Sequence, residues 1–136
     1  MPNRNPGDLE ILNEIYGAYL PRFVAAVEKE DADSQEKVYI PIDVASLATK
    51  LGMNKHILWG RLYYHLDSKY GYVRGDVHTH LFAPRVGKER HCINFPLLSA
   101  IVAEREREWR RYAVTLVFST VALLVAIASL LVKAHS

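Results

Sequence analysis

The chain has 136 residues and a mass of 15.5 kDa; half of it is hydrophobic and 24% charged, with 17 Lys and Arg against 15 Asp and Glu. That hydrophobic content excludes extended disorder, and the single Cys92 excludes an internal disulfide framework. About 110 soluble residues are also too few to surround a deep catalytic cleft.

The N-terminal stretch MPNRNPGDLEILNEIY has charges and no apolar run, so it does not read as a signal peptide. Asp8 is placed to cap a first helix with Leu12, Ile15, Tyr16, Tyr19 and Leu20 on one face. Pro21 predicts a kink or break before the pattern resumes at Phe23, Val24 and Val27. Residues 28–37 (EKEDADSQEK) read as an acidic loop, and VYIPI as a short extended segment. Asp43 then caps a second helix over about residues 44–51, with Val44, Leu47, Ala48 and Leu51 inward and Gly52 ending it. Asn54 caps a third helix reaching about Lys69, with Leu58, Leu62 and Leu66 at strict four-residue spacing. Gly71 stops it, and Tyr72-Val73 begins extended structure. The β-like runs 77–83 (VHTHLFA) and 91–95 (HCINF) flank Pro84–Arg90, which predicts a hairpin with a basic tip. Pro96 suits the first turn of a final helix that nothing interrupts from Leu97 to Lys133.

That last helix carries a segment of a different class. Residues 113–132 (AVTLVFSTVALLVAIASLLV) hold no charge, and 12 of these 20 are Leu, Ile, Val or Phe. Twenty residues make about 30 Å of helix, the thickness of a bilayer's hydrocarbon core. On an insertion scale the apolar side chains sum to roughly −4 to −7 kcal/mol, before small losses at Thr115, Ser119, Thr120 and Ser129. Trp109, Arg110, Arg111 and Tyr112 precede the span as membrane-interface residues, and Arg105 and Arg107 add positive charge on the same side. The positive-inside bias predicts an N-terminal domain held in the cytoplasm by a single span, in the manner of a tail-anchored inner-membrane protein. Residues 96–112, with the alternation EREREWRR, read as a charged stalk, 113–133 as the transmembrane helix and 134–136 as a short tail. Ser119, Ala122, Ala126 and Ser129 form a small-residue stripe of the kind that lets spans associate.

The cytoplasmic fold class is mainly α with a small β-hairpin. Residues 47–73 (LATKLGMNKHILWGRLYYHLDSKYGYV) resemble the winged helix-turn-helix superfamily: Leu-Ala, two residues, Leu-Gly, a short turn, a helix with spaced leucines, then Gly and a hydrophobic strand. The stretch from Leu66 to Gly71 is one residue longer than that pattern. The resemblance covers about residues 40–95 and implies a winged-helix domain over residues 1–95. With one span after it, the layout resembles ToxR-like membrane-anchored regulators, without their extracytoplasmic sensor domain.

Charge points to a partner. Residues 1–43 carry 4 basic and 9 acidic groups, net −5, whereas residues 44–95 carry 8 basic and 3 acidic, net +5. The excess falls on the third helix and the hairpin, where phosphate contacts would be made. The resemblance implies that Asn54, Lys55, His56 and Gly60 face a DNA major groove, with Lys50 and Arg61 near it and Arg85, Lys88 and Arg90 along a backbone or minor groove. Trp59, Tyr63 and Tyr64 are bulky for a groove-entering face, and exposed rings are the usual anchors of protein interfaces. A docking adaptor or self-assembling module is therefore the alternative, and a small effector acting through its span a further one. With Val86-Gly87 as the turn, His78, His80 and His91 share one strand face, an arrangement zinc uses. No CxxC or HExxH pattern accompanies them, so no metal or cofactor is expected. Cys92 reads as a small buried hydrophobe. No Gly-rich phosphate loop, GxSxG or spaced carboxylate pair is present, so neither an enzyme nor a small-molecule substrate is expected.

Overall fold

A computed structural model of the chain describes residues 4–29 and 37–136. It is mostly helical, with a small antiparallel sheet and one long apolar helix towards the C-terminus. Contacts divide the chain into two units, Met1–Val102 and Ala103–Ser136. Most of the acidic loop expected over residues 28–37, from 30 to 36, lies outside the described residues.

In the first unit α1 (Asp8–Glu28) runs without interruption through Pro21. The expected break is absent because packing on both sides of the proline outweighs one lost backbone hydrogen bond. Ile11, Leu12 and Ile15 are fully buried before it. After it, the Phe23 ring stacks on Phe95 at 4.6 Å, as Tyr16 does at 5.4 Å. Gly7, not Asp8, is the N-cap and offers no side-chain hydrogen bond. Asp8 is the first helical residue, and its carboxylate is used elsewhere.

Strand β1 (Tyr39–Pro41) leads into α2 (Val44–Leu51), which begins and ends as the sequence predicts. The Asp43 carboxylate accepts the Ser46 N–H at 3.1 Å, and Gly52 closes the helix at φ 67°, a left-handed conformation that glycine adopts without penalty. The third helix spans residues 55–70 in three pieces: α3 (Lys55–Gly60), a π-helical segment π1 (Arg61–Leu66) and α4 (Asp67–Tyr70). Leu58, Leu62 and Leu66 are all fully buried. In a pure α-helix a four-residue spacing drifts by about 40° per step, and the wider π turn cancels part of that drift. Each leucine removed from water contributes about 1.5–3 kcal/mol.

The β region departs from the expected pattern. The run 77–83 is not one strand: β2 (Tyr72–Arg74) pairs with β3 (Val77–Thr79) as a separate hairpin. Strand β4 (Phe82–Val86) pairs with β5 (Glu89–Asn94), which pairs in turn with β1, giving the order β1-β5-β4. The two-residue turn is Gly87-Lys88, not Val86-Gly87, so Phe82 opposes Ile93 and Ala83 opposes Cys92. Because this changes the pairing and moves His78 and His80 out of the strand, the three histidines do not share a face. Helix α5 (Phe95–Ala134) then starts from Asn94, whose side-chain oxygen accepts the Leu97 N–H at 3.2 Å. Its first turns bury Phe95, Leu98, Ile101 and Val102, so the domain core extends past residue 95.

The second unit is the remainder of α5. The 40-residue helix contains an 18-residue window of mean hydropathy 2.5 with none of it buried, which makes it long and apolar enough to cross a membrane. Thr120 and Ser129 donate their hydroxyls to the carbonyls of Leu116 and Val125 at 2.8 and 2.9 Å, which reduces their cost in hydrocarbon. Trp109 and Tyr112 stack with ring centres 6.0 Å apart, next to Arg110 and Arg111.

Candidate functional site

The third helix has one buried line and one presented face. With its leucines inward, Lys55, His56, Ile57, Trp59 and Tyr64 lie outward and exposed, and Gly60 is half-buried between them. Asn54 is exposed and spends its side chain on the helix, accepting the His56 N–H at 2.8 Å. Trp59 is 38% exposed and Tyr64 74%, with their rings edge-on at 5.4 Å. Tyr63 differs from its neighbours. It is half-buried, its hydroxyl meets His91 Nδ1 at 3.0 Å, and its ring packs edge-on against Phe82 at 6.3 Å. Burial, together with the charges of Cys92 and Asp67, pushes the Tyr63 hydroxyl up to about 12. His91 is the one described non-glycine residue with positive φ, at 54°. Its carbonyl accepts the Ile42 N–H at 2.8 Å, which ties the strained residue to the segment before α2.

A groove of about 490 Å³ opens beside these groups, lined by Ile42, Asp43, Val44, Ala45, Lys55, His56, Trp59 and His91. Its volume is in the range of small-ligand clefts. One wall is the start of α2, another the first turns of the third helix, and His91 closes the side nearest the sheet.

The expected cations divide into engaged and free. Arg61 is used internally: it bonds the Asp8 carboxylate, Asn5 Oδ1 at 3.0 Å and the Pro6 carbonyl at 3.1 Å, with its side chain only 22% exposed. It therefore does not present a phosphate contact as the sequence suggests. His65 at 2.8 Å and Lys69 at 3.5 Å converge on the same carboxylate. Burial raises the Asp8 pKa, but the hydrogen bonds and charges of Arg61 and His65 outweigh that and hold it below 3.8. Lys50 reaches Glu14 at 3.8 Å but stays 55% exposed. Lys55, Arg85, Lys88 and Arg90 are exposed and pair with no carboxylate among the described residues. Arg85 and Arg90 are direct cross-strand partners beside the Gly87-Lys88 turn. Like charges placed opposite each other destabilise a strand pair.

The histidines are dispersed. His80 Nδ1 meets Asp67 Oδ2 at 2.9 Å, the His78 ring lies 3.8 Å from that of His80, and His91 turns to Tyr63. No group of three metal-ligating side chains forms among the described residues. Asp67, which the sequence reading passed over, holds the fold at this corner. Its other oxygen accepts the Leu81 and Phe82 N–H groups at 2.7 and 3.1 Å, fastening the third helix to the start of β4. An acid at the end of a helix, four residues before a glycine, gave no local sign of partners 14 and 15 residues on. Cys92 is buried, and burial pushes its thiol pKa up, which leaves it a poor nucleophile. Comparison of the chain with protein-family models, with curated proteins and with solved structures finds no match.

Proposed function

We propose that the chain is a single-span protein of an inner membrane whose N-terminal part is a non-enzymatic winged-helix domain that binds DNA at the cytoplasmic face. The order helix, strand, helix, helix, paired strands, and the sheet order β1-β5-β4, support the winged-helix reading. The β2–β3 hairpin is an addition between the third helix and the wing.

One observation carries the DNA reading: Arg85 and Arg90 stand opposite each other at the wing with Lys88 in its turn, and none of the three forms an ion pair with a described carboxylate, the neighbouring Glu89 included. Such a pair weakens the hairpin on its own and is relieved by a polyanion. Lys55 and His56 extend the positive face to the start of the third helix, the usual site of base contacts. The test is retardation of duplex DNA by the full-length protein in detergent across a salt series. Affinity should fall steeply with salt, and Arg85→Ser with Arg90→Ser should lower the slope of log affinity against log salt by about 2. Absence of retardation at low salt overturns the reading.

Exposure of Trp59 and Tyr64 keeps a second reading in play, docking of a protein partner or of another copy on the third helix. Tyr64→Ala removes a ring that is 74% exposed, so under this reading it abolishes co-purification of a partner without lowering stability.

A further inference from the structure

The groove at the start of the third helix shares Lys55 and His56 with the proposed duplex contact and adds an apolar wall that a duplex does not need. Trp59 forms an apolar wall with Ile42, Val44 and Ala45 across from it, while Lys55, His56 and His91 supply nitrogen donors and Asp43 a carboxylate. The Trp59 ring is steadied by Tyr63, 5.1 Å away and tilted, and by Tyr64 edge-on, yet remains 38% exposed. His91 is held in place by the Tyr63 hydroxyl and by its own backbone bond to Ile42. The walls are thus pre-formed around space for a flat ring.

We propose that this groove takes a nucleotide, with the base against Trp59 and the phosphate at Lys55, as an unpaired nucleotide of a DNA strand or as a free one. This rests on the nucleic-acid reading of the domain and narrows it to DNA with an unstacked base. Three features select that ligand. An indole face stacks any nucleobase, and such stacking contributes most of the affinity in single-strand sites. The one exposed cation in the groove matches one phosphate. The Asp43 carboxylate has one oxygen on Ser46 N–H, which leaves the other to accept an exocyclic amine of a base edge.

The experiment uses the full-length protein in detergent with Trp109→Phe, so that Trp59 is the only indole. The probes are a blunt duplex, the same duplex with a short single-stranded adenine overhang, free deoxyadenosine monophosphate, and a polyglutamate peptide. The overhang duplex should quench Trp59 emission and bind roughly tenfold tighter than the blunt one. Trp59→Leu should bring it down to the blunt level; Lys55→Ala, which also removes a duplex contact, should weaken both duplexes and leave the overhang no advantage over the blunt one. Quenching by the mononucleotide to the same extent as by the overhang supports the site and makes the free nucleotide its source. Equal binding of both duplexes with unquenched Trp59 overturns the groove proposal while leaving the duplex reading intact. Binding of neither duplex and no quenching by the nucleotide overturns both. Quenching by polyglutamate alone also overturns both, in favour of peptide docking.

Discussion

Asp8 collects three basic side chains from one helix, the guanidinium of Arg61, the imidazole of His65 and the ammonium of Lys69, at four-residue intervals. Its side chain is only 21% exposed, so the pairing is screened less than on an open surface. Asp8→Asn should cost about 1–3 kcal/mol at neutral pH, because Arg61 would keep its burial and lose its charge partner. The folded-state pKa is lowered, so this contribution is complete above the unfolded value near 3.8 and disappears as pH falls through the lower folded value. Thermal unfolding of the two proteins should thus differ at pH 7 and converge in strong acid; a constant difference would refute the pairing. Gly71 is a second position with a definite cause. Its backbone is extended, which any residue adopts, but a Cβ there would lie 2.6 Å from the Asp67 carbonyl and 3.1 Å from that of Thr79. Gly71→Ala should therefore destabilise by about 1–3 kcal/mol through crowding alone, measured by the same unfolding. At this scale the caps at Asp43 and Asn54 and the closing glycine at 52 were legible, since each acts on atoms two to four residues away. The partners of Asp8, Asp67 and His91 lie 13 or more residues distant, and no local pattern encodes them.

Among the elements, the helices were read nearly to their ends apart from the break expected at Pro21, because a buried stripe at helical spacing is a long signal. The sheet was not, and the reason is specific. Both hairpins use a two-residue turn with glycine first, Gly75-Asp76 and Gly87-Lys88, with φ of 61° and 59° at the glycines. Glycine at that position marks a turn whose twist matches its strands. Centring the turn one residue early moved the predicted register, and missing the first hairpin merged β3 with β4. The third helix also carries a π segment over Arg61–Leu66, ahead of the stretch Leu66–Gly71 in which the extra residue was counted. A π bulge is one residue more than the α path needs. Deleting Tyr64, the most exposed residue of π1, should convert it to α-helix and return Asp67 to its place over β4. We expect that deletion to leave a folded domain whose unfolding midpoint changes by only a few degrees. Deleting Ala48, which is 3% exposed in the regular helix α2, should abolish cooperative unfolding. Loss of folding in both would show that the π turn is required in itself.

At the scale of the whole molecule, two kinds of physical chemistry share one chain. Residues 44–95 carry net charge +5, and residues 113–132 carry none. The candidate groove was not legible as a site, since its lining comes from α2, the third helix and β5 together. A helix long and apolar enough to cross a membrane was legible at once, because that property depends on composition and not on register. The same composition sets how many substitutions it tolerates. Twelve large apolar residues contribute roughly −4 to −7 kcal/mol to insertion, while exchanging a central Leu for Arg costs about 3–4 kcal/mol. One such exchange should weaken insertion, and two, Leu123→Arg with Leu124→Arg, should cancel it. Alkaline carbonate extraction measures this directly: the natural chain should stay with the membrane pellet and the doubly substituted chain should pass to the supernatant. If the natural chain is extracted, α5 is packing against protein and not lipid, and the positioning of the basic third helix and wing at a membrane face fails with it. If both stay in the pellet, arginines near the middle of the helix are reaching water or partner carboxylates, which requires the spans to associate. The stripe of Ser119, Ala122, Ala126 and Ser129 then becomes the surface to alter next.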